Sequence, residues 1–241
     1  MMRIDAKDMH YRALNERIRG LLESGETEIE LDSVCGQKFI GDGLRGRARL
    51  VVNGTPGNDL AIFMDGPEIV VNGNGQDGIG NTMNSGRVVV HGNAGDVIGY
   101  AMRGGRIFIK GDVGYRVGIH MKAYQDSVPA IVIGGAAGDF LGEYMAGGII
   151  VVLGLNGGHV GDYVGTGMHG GTIYVRGSLD DDILGREIVK SEPDARDISI
   201  IGRLVGEYCA HFGKDFDDIM RKPFLKLSPR SHRPYGSLYT S

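Results

Sequence analysis

The apolar residues of this chain fall into columns. From residue 49 onward, short runs alternate apolar and polar with period two, the mark of a half-buried strand. The run first returns at intervals of 19 residues. Aligned on the glycine that ends each strand, the repeats span 49–67, 68–86, 87–105, 106–129, 130–148 and 149–171, and a partial seventh starts at Thr172. Two insertions, near 122–127 and 158–164, lengthen the fourth and sixth. One inward column reads Leu50, Ile69, Val88, Ile107, Ile131, Ile150, Ile173, and the next Val52, Val71, Val90, Ile109, Ile133, Val152, Val175. Both are almost wholly β-branched, as pleated packing favours. A third column follows the turn (Leu60, Ile79, Ile98, Val117, Leu141, Val164), and a methionine closes each repeat: Met64, Met83, Met102, Met121, Met145, Met168.

A repeat this short cannot bury its apolar face alone. It is stable only when coils stack and each strand pairs in parallel with its equivalents. The pattern therefore predicts an all-β fold, a single-stranded right-handed parallel β-helix of about seven coils, the hand following the usual crossover preference. At about 4.8 Å per rung the rod is on the order of 34 Å long. Glycines at the corners (Gly92, Gly95 and Gly99 in one coil, Gly111, Gly114 and Gly118 in the next) are expected to supply positive φ.

The residues between the inward columns are Val51, Val70, Val89, Phe108, Val132, Val151 and Tyr174. They face outward and all are apolar. Such a stripe must be covered, by the chain's own arms or by another chain.

Two arms flank the repeats. Over 7–22, Tyr11, Leu14, Ile18, Leu21 and Leu22 recur at helical spacing, with Gly25 as a stop. Ile201, Leu204, Val205, Tyr208, Cys209 and Phe212 form a second stripe that ends at Gly213, and a short helix is expected at 215–220. Pro223, Pro229 and Pro234 predict an extended tail. The expected organisation is a helical N-terminal arm (1–27), the β-helix (28–180), then linker, helix and tail (181–241). The charged stretch 180–196 serves as the linker. Both helices are expected to cap the rod or cover its apolar face.

Composition narrows the function. Glycine numbers 42 of 241 residues without a Gly-X-Y period, so collagen is excluded. A net charge of −4, with no basic stripe, argues against nucleic acid. Cys35 and Cys209 are too far apart in sequence for a disulfide framework or a zinc spacing. With no apolar leader and no membrane-length apolar run, a soluble, cytoplasmic chain is expected.

Candidate chemistry is sparse. Three stretches match GxGxxG (41–46, 73–78, 165–170), but none opens a helix that could hold a phosphate. Asp96, Asp112, Asp139 and Asp162 sit in glycine turns, where turn stabilisation is a better reading than a calcium nonapeptide. Asp180, Asp181 and Asp182 read as a solvated run. The seven histidines form no metal motif, and His91, beside Asn72 and Lys110, belongs to a surface ladder. The chain starts Met1-Met2, which provides no N-terminal cysteine nucleophile, and the methionine column reads as core packing. No catalytic, cofactor-binding or metal residue is assigned.

The phrases GDVIGYAMRGG (95–105), GDFLGEYMAGG (138–148) and GTGMHGGTIYV (165–175) resemble the GXGXG domain of glutamate synthase large subunits. LDSVCGQKFIGDGLRG (31–46) is similar to the segment that opens that domain. The helix 201–212 and the tail PFLKLSPRSHRPYGSLY (223–239) resemble the end of stand-alone archaeal-type versions. In that family the β-helix is a strut. Glutamine hydrolysis belongs to a domain with an N-terminal cysteine, and a separate barrel holds FMN and an iron–sulfur cluster and reduces 2-iminoglutarate. The resemblance implies a non-catalytic assembly subunit that binds no cofactor itself and partners a glutaminase subunit and an FMN/iron–sulfur subunit, in glutamate biosynthesis and ammonia assimilation. A more distant resemblance is to the subunit of formylmethanofuran dehydrogenase that uses the same repeat, and a methylglutamate synthase subunit is a further alternative. Two other classes stay open: a self-associating β-helix scaffold, and an independent enzyme on small amides or sugars, against which the apolar outward column argues.

Overall fold

Residues 1–232 are described by a computed structural model. In chain order the elements are β1 (Met2–Asp5), α1 (Tyr11–Glu23), β2 (Glu28–Cys35), β3 (Arg49–Thr55), β4 (Asp65–Asn72), β5 (Ser85–Val90), β6 (Arg106–Ile109), β7 (Ala130–Ile133), β8 (Ala146–Val152), β9 (Gly170–Arg176), β10 (Ile188–Ser191), α2 (Ala195–Phe212), α3 (Phe216–Met220) and β11 (Phe224–Pro229). From β1 to β9 each strand pairs in parallel with the next, and β11 and then β10 close that end of the sheet antiparallel. Seven windings join β2 to β9, so the fold is the parallel β-helix read from the columns.

The register reproduces both inward columns residue for residue. Leu50 pairs with Ile69, Ile69 with Val88, and so on to Ile173, while Val52 leads in the same way to Val175. Ile29 and Leu31 of β2 extend both columns by one rung. The methionine column is buried throughout, and backbone rungs hold it. The N–H after each methionine donates to the methionine carbonyl one coil back, as from Arg103 to Met83 at 2.9 Å and from Lys122 to Met102 at 3.0 Å. Leu44 and Ile188, both buried, occupy the same position beyond the two ends of the column.

The corner glycines divide into two kinds. Gly99 and Gly118 do have positive φ, 69° and 72°. Gly92, Gly95, Gly111 and Gly114 do not, and they are glycine for a different reason. The side-chain oxygen of an Asn or Asp in the coil below lies where their Cβ would stand: Asn74, Asp77, Asn93 and Asp96 respectively. Those oxygens accept backbone N–H bonds from the coil above, Asn93 from Asp112 at 3.0 Å and Asp96 from Tyr115 at 2.8 Å. Asp112 and Asp139 do the same for Ala136 and Asp162. The turn aspartates thus stabilise the next coil as well as their own turn.

Both ends and one face are covered by the arms. α1 lays Leu14 and Ile18 into the main core at the β2 end. The N-terminal arm is not only helical, because β1 precedes α1 and pairs with β2. Buried Gln37 ties the connection down, donating to the Ala6 carbonyl at 2.9 Å and accepting from the Cys35 N–H at 2.7 Å. α2 is capped by an Asp194/Asp197 capping box and ends at Gly213 in the left-handed region. Its stripe covers Val89, Phe108, Val132, Val151 and Tyr174, which form a second core with it. Val51 and Val70 are half-buried, and Val70 packs against the edge of this second core.

Two further segments depart from expectation, and the tail meets it. The stretch 180–196 is not only a linker: Leu184 bridges Val164, Ile188 is buried, and β10 follows. The tail is extended over 224–229, where it is paired with β9 and β10. Pro234 and the rest of the tail lie outside the described residues. The second insertion lies earlier than 158–164. Val160 bridges Ala137 and Asp162 pairs with Asp139 in normal register, and the extra residues surround Asn156, which donates to Asp112 at 2.6 Å. Among the described residues, no helix is long and apolar enough to cross a membrane.

Candidate docking face

The outward sheet face is mostly occupied by the chain itself. At the α2 N-terminus, Tyr174 donates to Asp197 at 2.6 Å and Lys226 pairs with Asp197 at 2.7 Å. Burial works against the Asp197 charge, but Lys226, Tyr174 and the Asp194 backbone outweigh it and hold its pKa below the usual carboxylate value. Burial, then the bond to Asp197, pushes the Tyr174 phenol up. Midway, Glu207 pairs with Arg87 and Arg106, and Tyr208 donates to the Lys110 carbonyl at 3.1 Å. At the C-terminus Phe212 meets His91 edge-on, with ring centroids 5.2 Å apart. His91 is therefore half-covered, and burial followed by Lys110 lowers its pKa.

The corner of the coils is free. Each winding there passes through three left-handed residues, as at Val97, Gly99 and Ala101 or Arg116, Gly118 and His120. The middle position is glycine in every winding but one, where Ala61 stands, and a Cβ on Gly118 would strike Ile150. Several of the outer positions carry large side chains, Phe63, Arg116, His120, Phe140, Tyr144 and Tyr163, at some strain, since non-glycine residues rarely adopt this conformation. The result is an exposed aromatic run. His120 stacks on Tyr144 at 5.3 Å, with Tyr100 edge-on to His120 at 5.9 Å. Phe140 stacks on Tyr163 at 4.9 Å. The Arg116 guanidinium lies 4.6 Å from the Phe140 centroid and pairs with Glu143 at 2.9 Å. Tyr115, Tyr163 and Phe63 are each more than half exposed. Exposed Tyr and Phe on this scale are the composition of an interface centre.

The insertion at 122–127 adjoins this corner. It is a tight hairpin in which Tyr124 and Ser127 exchange both backbone bonds at 3.0 Å, and every residue of it is exposed. One side of the hairpin walls a groove of about 430 Å³ with Asn84, Arg103 and Lys122. The other walls a groove of about 530 Å³ against Glu68, Arg87 and Arg106.

The remaining sequence candidates are scattered. The three GxGxxG stretches lie in coil turns and none precedes a helix. Asp181 pairs with Lys190 on the surface. Cys35 is exposed and Cys209 buried, and burial, then Asp215, raises the Cys209 thiol pKa. Among the described residues, no three His, Cys, Asp or Glu side chains are grouped to hold a metal. Sequence reasoning misses the aromatic run because it sees the corners only through their glycines. The signal that marks it is the recurrence of large side chains at one repeat position, Arg116, Phe140 and Tyr163, and at another, His120 and Tyr144.

Comparison with known proteins agrees with the repeat. The GXGXG motif family matches residues 26–229. An uncharacterized protein of Methanocaldococcus jannaschii is 47% identical, over 98% of this chain and 95% of its own length. Among solved structures, a chain of the formyltransferase/hydrolase complex of Methylorubrum extorquens, bound to methylofuran, aligns with a TM-score of 0.49 and 23% identity, over 91% of this chain and 87% of that one. With a family match that runs from β2 to the end of β11, this chain belongs to the GXGXG family.

Proposed function

We propose that this chain is a non-catalytic assembly subunit of a multi-subunit glutamate synthase. It spaces a glutaminase subunit from an FMN/iron–sulfur synthase subunit, and those partners carry the cofactors. Family membership over 26–229, in a rod whose interior is filled by stacked apolar columns, carries this reading. Backbone rungs on every coil make such a rod stiff along its axis, which suits a strut. The resemblance of 201–212 and 223–239 to glutamate synthase flanks favours that enzyme over other GXGXG assemblies.

The test is affinity purification of the tagged chain from its source at physiological salt, with mass spectrometry of what accompanies it. Glutaminase and FMN/iron–sulfur subunits in near-stoichiometric amounts are expected. Recovery of neither overturns the proposal. Formyltransferase and hydrolase subunits in their place would move the chain to a formylmethanofuran dehydrogenase-like assembly, and copies of itself alone would make it a self-associating scaffold.

A further inference from the structure

Arg103 and Lys122 hold the same position in successive coils, each directly after a buried methionine and bonded to the methionine carbonyl below. Their backbones are therefore one rung apart, about 4.8 Å. Both side chains are exposed, and neither makes an ion pair among the described residues. Like charges stacked on neighbouring strands are unfavourable. Elsewhere the sheet compensates its stacked cations. Glu68 lies between Arg49 and Arg87 at 3.2 and 3.4 Å, Glu207 serves Arg87 and Arg106, and Arg3 reaches Glu30 and Asp32 at 3.3 and 3.2 Å. At the Arg103/Lys122 position the flanking coils provide Asn84 and Ala146, which cannot neutralise either charge.

We propose that the groove between this cation pair and the 122–127 hairpin docks an acidic segment of a partner subunit. Its carboxylates would accept from Arg103 and Lys122, and Tyr124 and Ser127 line the same groove. The local charge is opposite to the chain's net −4, so the groove selects an acidic partner by complementarity. The exposed Tyr100 and His120, on the same two coils, extend the surface beyond what a small anion would span. Tyr and Arg are the side chains that dominate interface energetics. This inference rests on the assembly-subunit reading, and the test separates the two.

The double variant R103E/K122E is purified from the source organism beside the wild type and the conservative variant R103K. Wild type and R103K should recover the partners, and recovery by the double variant should fall by about tenfold or more. The isolated variants should melt with the wild type, because both positions are exposed. Hydrogen exchange across 122–127 should slow in the wild-type complex relative to the free chain. Undiminished recovery by the double variant, or no protection of the hairpin, overturns the groove and leaves the subunit reading standing. A wild type that recovers no partner overturns both. Citrate or inorganic phosphate that stabilises the isolated wild type but not the double variant would make the groove a small-anion site and also overturn the proposal.

Discussion

If Gly111 is glycine because of Asn93, then the two positions should fail to add. A Cβ at Gly111 would fall far inside 3.0 Å of Asn93 Oδ1, and 3.2 Å from the Gly92 carbonyl, against about 3.3 Å or more for an ordinary carbon–oxygen contact. Its φ is not in the left-handed region, so the backbone itself accepts alanine. The Gly111→Ala change should therefore expel the Asn93 amide from its place. That gives up the bond to the Asp112 N–H, about 1 kcal/mol, and pushes the side chain off its rotamer, about another 1 kcal/mol. The reduced freedom of the unfolded chain returns about 0.5 kcal/mol. The net loss is about 1.5 kcal/mol. Asn93→Ala alone should cost about 1 kcal/mol for the bond. Once Asn93 is gone, Gly111→Ala meets only the mild contact with the Gly92 carbonyl and keeps the unfolded-state gain. The double variant should then be no less stable than Asn93→Ala, a coupling of about 1–2 kcal/mol. Urea unfolding of the four proteins, followed by circular dichroism at matched m-values, measures it. As a control, Gly20→Ala in α1, where nothing lies within 4 Å, should stabilise by about 0.5–1 kcal/mol. Strict additivity of the first pair would refute the explanation of this whole class of glycine.

How far the fold could be read from sequence follows from the range of each interaction. The inward columns are legible because burial at fixed register imposes period two on every coil, and they survive residue for residue in the pairing of Leu50 through Ile173. The end of α2 at Gly213 is legible because a left-handed cap is a local device. The methionine column does not mark the coils beyond its ends, since Leu44 and Ile188 hold the same position without the sulfur. β1 is hidden because Met2–Asp5 has a single buried residue and pairs only through β2. The outward stripe announces that it needs a cover, but not which one. That answer lies in matches across long separations, Glu207 with Arg106 and Tyr208 over Gly134, which no local pattern displays. The candidate docking face is harder still. Its side chains stand on left-handed corners, where sequence rules expect glycine, so Arg116, His120, Phe140 and Tyr144 look like turn filler until the coils are stacked.

The remaining predictions test the cover, the core and their response to acid. A Cβ on Gly134 would strike both the Tyr208 hydroxyl and the Lys110 carbonyl, so Gly134→Ala should lift α2, cost about 2–3 kcal/mol and raise the binding of an apolar dye as Val132 and Phe108 come free. Met121→Asp places an unpaired charge in a fully buried column and should cost about 4 kcal/mol or more, whereas Asp181→Asn, on an exposed ion pair, should stay within about 0.5 kcal/mol in the same melts. Acid should release α2 from its C-terminal end first. Burial lowers the pKa of His91, which faces Lys110, and of His211, whose neighbours Arg87 and His91 lower it further while Glu68 and Glu207 oppose them. A folded pKa below the unfolded one means a contribution that is whole above the ordinary histidine value of about 6.5 and is lost as pH falls through the folded value. Asp197, at the other end of α2, is also held below its ordinary value, but that value is 3.8, so its contribution survives to a lower pH. Hydrogen exchange followed as pH is stepped down, and corrected for intrinsic rates, should therefore lose protection at 208–212 before 197–201. The reverse order would mean that the histidines at the Phe212 end do not govern how this helix holds the sheet.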